Sequence, residues 1–275
     1  NAWVNRGLAL QNLHRYQEAL ESFDRALIHQ PRHVEAYNNR GTALQCMNRH
    51  IEAVVNFDQA IALRPDYADA LNNRGNALDA LDRPLEALES IDRALRLRPD
   101  FAMAWNNRGV VLRNLNRLDD ALESTDRALA LQPHDPDAHW NRSLILLMRG
   151  DFRPGWAEYD WRLQVPSLGH RPRSYAQPRW SGKEDLAGKT ILVYSEQGLG
   201  DTIQFCRYVS LLEKRGARVV LEVQRPLRTL LASLANVDVL LSPGDEPQPF
   251  DLHSPLLSLP LAFATELDSI PALPS

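Results

Sequence analysis

Apolar, small and polar positions in the first half of the chain repeat on a fixed step. Gly7, Gly41, Gly75 and Gly109 lie 34 residues apart. Ala19, Ala53, Ala87 and Ala121 keep the same step, as do Ala26, Ala60, Ala94 and Ala128. The bulky residues Trp3, Tyr37, Leu71 and Trp105 follow it, and so do Pro31, Pro65, Pro99 and Pro133. The small residues let paired helices approach, and the bulky ones fill the space between pairs. Each proline ends a helix, because it lacks an N–H and disfavours helix at the residue before it. Helices are predicted over 1–13, 16–29, 34–47, 50–63, 68–81, 84–97, 102–115 and 118–131.

A fifth unit decays. Trp140-Asn141-Arg142 keeps the Asn-Arg pair of earlier units, but Ser143 replaces the glycine. A helix over about 152–163 places Gly155 and Tyr159 at the small and aromatic positions. Trp156, Tyr159 and Trp161 make this end aromatic. The rings either cap the array against the next domain or form a stacking platform for a ligand. Such a 34-residue helix–turn–helix unit resembles the tetratricopeptide repeat (TPR). The resemblance implies a solenoid of four and a half to five repeats over residues 1–163 that binds a protein or peptide in its groove. Phe23 and Phe57 match the aromatic position of the repeat, while Ile91 and Thr125 depart from it and predict looser packing there.

Two polar columns run through the array. Asn5, Asn39, Asn73, Asn107 and Asn141 form one, on the first helix of each unit. Stacked primary amides can donate to and accept from a peptide backbone. The column resembles the asparagine ladder in the TPR superhelix of O-linked N-acetylglucosamine transferases, which implies a peptide-binding groove. The alternative is that the amides only brace neighbouring helices. Asn38, Asn72 and Asn106 add a second amide column, which argues against a groove for apolar helices. The other polar column sets Arg6, Arg40, Arg74, Arg108 and Arg142 beside Asp24, Asp58, Asp92, Asp126 and Asp160. With each Asp 18 residues after its Arg, the expected role is to lock the two helices of one unit.

The repeat stops at 164–186, read as a linker. Its Arg171, Arg173, Arg179 and Lys183 are locally basic, and its Tyr175 and Trp180 predict that it is packed down. From 187 to 275 the pattern changes. Continuous β-rich runs at 190–194, 218–223, 237–241 and 250–253 alternate with helical stretches at 200–214 and 225–234. That alternation predicts a parallel α/β domain. Its chemistry-bearing turn is Glu196-Gln197-Gly198-Leu199-Gly200-Asp201-Thr202, after the first strand. Ile203 stands where the dinucleotide fingerprint needs Gly or Ala, so that fingerprint fails.

The Gly198-Leu199-Gly200-Asp201 turn resembles the N-terminal half of heptosyltransferase-like glycosyltransferases of the GT-B fold. The resemblance covers about 190–265. It implies a Rossmann-like lobe contributing the acceptor side of an inverting sugar-transfer site. Asp201 would be the general base, with Gln197, Gly198, Gly200, Thr202 and His253 lining the cleft. Asp201 also suits a helix cap. A nucleotide-sugar donor would be expected for a full-length enzyme, and its main binding lobe is not in this chain. The fragment alone is therefore expected to be inactive, and truncated at both ends. The alternative is a non-catalytic TPR adaptor.

Composition narrows the field only slightly. Lys plus Arg is 31 against 35 Asp plus Glu, a net charge of −4, which argues against binding nucleic acid through phosphates. Two cysteines, Cys46 and Cys206, exclude a disulfide framework and point to the cytoplasm. No apolar run reaches the roughly 20 residues of a membrane span. No metal-ligand spacing is present.

Overall fold

A computed structural model describes residues 2–169, 173–246 and 248–272. Asn1, Arg171 of the basic segment and the tail residues Leu273, Pro274 and Ser275 lie outside the described residues. The chain divides into two compact units, 1–145 and 146–275.

The first unit is a superhelix of paired helices: α1 (Ala2–Asn12), α2 (Tyr16–His29), α3 (Val34–Cys46), α4 (His50–Leu63), α5 (Ala68–Asp79), α6 (Pro84–Leu97), α7 (Ala102–Asn114) and α8 (Leu118–Leu131). A further helix, α9 (Pro136–Arg149), runs through the division. The first helix of each pair closes on a residue in the left-handed region: His14, Asn48, Asp82 and Asn116, all near φ +57. The next N–H then reaches back to Leu10, Leu44, Leu78 or Leu112, satisfying an orphan carbonyl at the helix end. Short polar side chains tolerate this conformation best after glycine, which explains the Asn and Asp in this column.

Ile91 and Thr125 do not loosen the packing. Both are fully buried, like Phe23 and Phe57. A Cβ built on Gly75 would lie 2.4 Å from Ile91 Cγ1, and one on Gly109 would lie 2.7 Å from Thr125 Cγ2. The helices keep their spacing, and Thr125 satisfies its hydroxyl by donating to carbonyls one turn back.

The second unit begins with α10 (Phe152–Tyr159), which tightens into a 3₁₀ turn over Asp160–Gln164. There follow β1 (Thr190–Tyr194), α11 (Leu199–Phe205), α12 (Val209–Lys214), β2 (Arg218–Glu222), α13 (Arg228–Leu231), β3 (Val239–Leu241), β4 (Leu252–Pro255) and α14 (Leu259–Ala262). The strands form one parallel sheet in the order β3-β2-β1-β4. The strand order therefore reverses at β1, with β2 and β3 on one side and β4 on the other, and ligands of open α/β sheets sit at such a switch point. β4 starts two residues later than predicted. Phe250 packs edge-on against Tyr175, and the Asp251 carboxylate accepts from the Thr190 N–H at 2.8 Å, so both act as lead-in.

The segment expected as a linker is part of this unit. Trp180 is buried, with its backbone N–H donating to His253 O at 2.8 Å and its indole to Glu184 O at 3.1 Å. Trp156 and Tyr159 also pack here: Trp156 meets Tyr159 and Phe205 edge-on, with ring centroids 5.5 and 6.0 Å apart.

Candidate functional site

Two places bring the predicted residues together. The first is the face of the first helices in the repeat unit. Asn73 donates to Asn38 at 3.1 Å, Asn107 to Asn72 at 2.9 Å and Asn141 to Asn106 at 3.0 Å. The two amide columns thus interlock from repeat to repeat. Asn38, Asn72 and Asn106 are buried, while Asn39, Asn73, Asn107 and Asn141 remain partly open. Asn39 has no rung to donate to, because the matching position in the first repeat is Val4. Asn5 is exposed on α1 and outside the interlocked set. Each interlocked outer amide donates one hydrogen of two, so it retains capacity for a backbone.

The arginine column pairs differently from the expected spacing. Arg40, Arg74, Arg108 and Arg142 bond Asp24, Asp58, Asp92 and Asp126, each 16 residues earlier, at 2.6–2.7 Å. The pairs therefore lock one repeat to the preceding one. Arg40 and Arg108 also donate forward, to Asn56 at 3.0 Å and Ser124 at 2.8 Å, so each joins three helices. Asp160 leaves the column and instead accepts from Arg162, Arg179 and Ser258.

The second place is a cavity of about 460 Å³ at the carboxyl ends of β1 and β4, lined by Tyr194, Glu196, Gln197, Gln224 and His253 among others. Gln197 is held by Tyr159 Oη at 3.4 Å through its side chain and by Gln224 at 2.6 Å through its carbonyl. Gly198 is the N-cap of α11, and its N–H donates to the Asp201 carboxylate at 3.1 Å. Asp201 is thus engaged as a helix cap, and of the predicted cleft residues only Gln197 and His253 line the cavity, while Gly198, Gly200, Asp201 and Thr202 do not. Thr202 is fully buried and ties α11 to Gly198 and Gln224.

Beneath this cavity lies a buried ion pair that the sequence patterns did not reveal. Arg162 is fully buried and contacts Glu196, Asp160 and Ser258. Glu196 also accepts from the N–H groups of Leu256 and Leu257, both at 3.2 Å. Burial pushes the Glu196 carboxyl up, against the pull of Arg162 and those two donors. Burial also raises Tyr194 to about 12, and lowers His253, whose imidazole further feels Arg179. His253 Nδ1 is buried with no partner among the described residues. No cluster of His, Cys, Asp and Glu able to hold a metal ion occurs among the described residues.

Family profiles for the tetratricopeptide repeat match residues 1–66, 47–100, 73–136 and 111–152. The chain belongs to the tetratricopeptide-repeat family over this stretch, more than half its length. It is similar to the protein FlbA of Caulobacter vibrioides, 42% identical over 64 residues, covering 23% of this chain and 10% of that protein. The chain therefore spans about a tenth of the length of that relative. Among solved structures it resembles TTC0263, a thermophilic TPR protein of Thermus thermophilus, at 26% identity and TM-score 0.54, covering 59% of this chain and 89% of the other. It also resembles PilW, a type IV pilus biogenesis factor, at 26% identity and TM-score 0.56, covering 60% and 78%. The array is a protein-interaction scaffold of the TPR type. Among the described residues no helix is long and apolar enough to cross a membrane.

Proposed function

We propose that the chain holds an extended peptide segment of a protein partner along the first-helix face of its repeats, mainly by the peptide backbone. The carrying observation is the half-used amide ladder. Asn73, Asn107 and Asn141 each donate once to the preceding repeat and keep a second N–H for a ligand carbonyl. The net charge of −4 fits a peptide better than nucleic acid. The free thiols Cys46 and Cys206 fit a cytoplasmic setting. Changing Asn39, Asn73 and Asn107 together to Ala should abolish partner capture, measured by calorimetry, while the helical circular dichroism persists. Unchanged affinity would show that the ladder is purely structural.

A second reading rests on the other unit. The Gly198–Asp201 turn closes β1 beside the strand-order reversal, next to the cavity that Gln197 and His253 line. This placement supports a glycosyltransferase-like acceptor lobe, in which Asp201 would take the proton of the acceptor hydroxyl. The donor nucleotide sugar would be held by a further lobe of a longer protein. The adaptor reading is the stronger, because Asp201 is already employed as a cap. The side-chain oxygen of Asn can accept the same bond from the Gly198 N–H, so Asp201→Asn should keep the fold. If the full-length protein transfers no sugar from a panel of nucleotide sugars, or if Asp201→Asn leaves transfer intact, this second reading fails.

A further inference from the structure

A second ion-pair column ties the end of the second helix back to the first helix of the same repeat, in the repeats α3–α4 and α5–α6, and it breaks at the repeat after them. Arg64 donates to Glu35 at 2.6 Å, and Arg98 to Asp69 at 2.7 Å, in each case 29 residues apart. One repeat further on, the two positions are Met103 and Gln132, so neither the acid nor the cation is present. At the next step the acid returns as Asp137, with no cationic partner among the described residues. Where the column breaks, a cavity of about 690 Å³ opens between α7 and α9.

The lining of that cavity has a definite chemistry. Asp100, Asp135 and Asp137 supply three carboxylates. Asp135 accepts from the N–H groups of Asp137 and Ala138 and so caps α9. The cation on the rim, Arg98, is committed to Asp69 and lies 3.6 Å over the Phe101 ring. Asn106 is only 7% exposed and lines the cavity. Its oxygen accepts from Asn141, while its Nδ2 donates to no described residue. Met103, half exposed, gives an apolar wall suited to the aliphatic stem of a long cationic side chain. Partial desolvation, and then the charge of Asp135, hold the Asp137 carboxyl above its usual range, a repulsion that a cation would relieve.

We propose that this cavity is a specificity pocket for one lysine or arginine side chain of the extended peptide. The proposal rests on the peptide-groove reading and adds the partner's chemistry to it. The carboxylates take the cationic head, Met103 flanks its stem, and the free amide of Asn106 donates to a peptide carbonyl. An acidic side chain at that point is rejected by charge. An apolar one leaves the carboxylates unpaired.

The test uses the whole chain and fluorescein-labelled degenerate twelve-residue peptide libraries with one fixed central residue: Lys, Arg, norleucine or Glu. Anisotropy should show the Lys and Arg libraries binding about tenfold more tightly than the norleucine library, and the Glu library most weakly. In Asp100→Asn/Asp137→Asn, which spares the capping Asp135, the Lys-to-norleucine ratio should fall to about one. In Asn39→Ala/Asn73→Ala, outside the cavity, all libraries should weaken together with the ratio kept. Equal binding of the Lys and norleucine libraries to the unmodified chain overturns the pocket but leaves the groove reading standing. A ratio that survives the two Asp substitutions does the same. Failure of every library to bind overturns both.

Discussion

Arg108 donates to Asp92, 16 residues back on the preceding repeat, at 2.7 Å. Its bond runs against the direction that sequence spacing suggested, since Asp126 belongs to Arg142. The pair is partly exposed, 22% and 34%, so its worth is modest. A double-mutant cycle on Arg108 and Asp92 in urea should give a coupling of about 1 kcal/mol or less. The cycle on Arg108 and Asp126 should give none. Equal coupling in both cycles would refute the repeat-to-repeat assignment.

Gly75→Ala should destabilise the array, although alanine favours a helix interior. The added methyl would lie 2.4 Å from Ile91 Cγ1, inside contact distance. Overpacking of this kind costs about 1–3 kcal/mol, more than the roughly 1 kcal/mol that helix propensity returns. Ile91→Ala in the same chain should relieve the clash and reverse the sign of the glycine substitution. A drop in the urea midpoint that Ile91→Ala leaves unrelieved would place the cause elsewhere.

Arg162 and Glu196 should be inseparable. Arg162 is fully buried, so Glu196→Ala strands its charge with only Asp160 near it. Breaking a buried pair from one side costs about 3–5 kcal/mol. Hydrogen exchange should then lose protection at amides of β1 and β2, with the repeat helices unaffected. Protection unchanged at Ile191 and Val193 would mean that the pair carries no load.

The His253 imidazole is held below its ordinary value by burial and by Arg179. Its unfolded form binds a proton near pH 6.5 while the folded form does not. The stability it contributes is therefore complete above about pH 6.5 and is lost as pH falls from there toward the depressed folded value. Glu196 has the opposite sign, since its raised carboxyl costs stability as pH rises above about 4.5. The difference between the unmodified chain and His253→Gln isolates the histidine. That difference should shrink as pH falls below 6.5, measured as sheet protection; a constant difference would exclude the titration.

The repeat period, the helix-ending prolines, the Gly and Ala contact positions and the β-rich runs were legible in the sequence, because backbone sterics and periodic burial leave a local record. The left-handed turn column at His14, Asn48, Asp82 and Asn116 had a signal of its own, polar residues at the same step, that the apolar columns overshadowed. Partner choice was not legible. Spacing alone could not say whether an Arg on a first helix faces the second helix behind it or ahead of it, since both lie within reach of its long side chain. Nor could it say that two amide columns would share hydrogen bonds across repeats, or that Asp201 would turn back to its own loop. The sequence by itself determined the elements and their repeat. Tertiary packing decided which polar groups are consumed by the fold and which, like the free amide of Asn106, remain for something else, because desolvation and distance are set only once the helices are stacked.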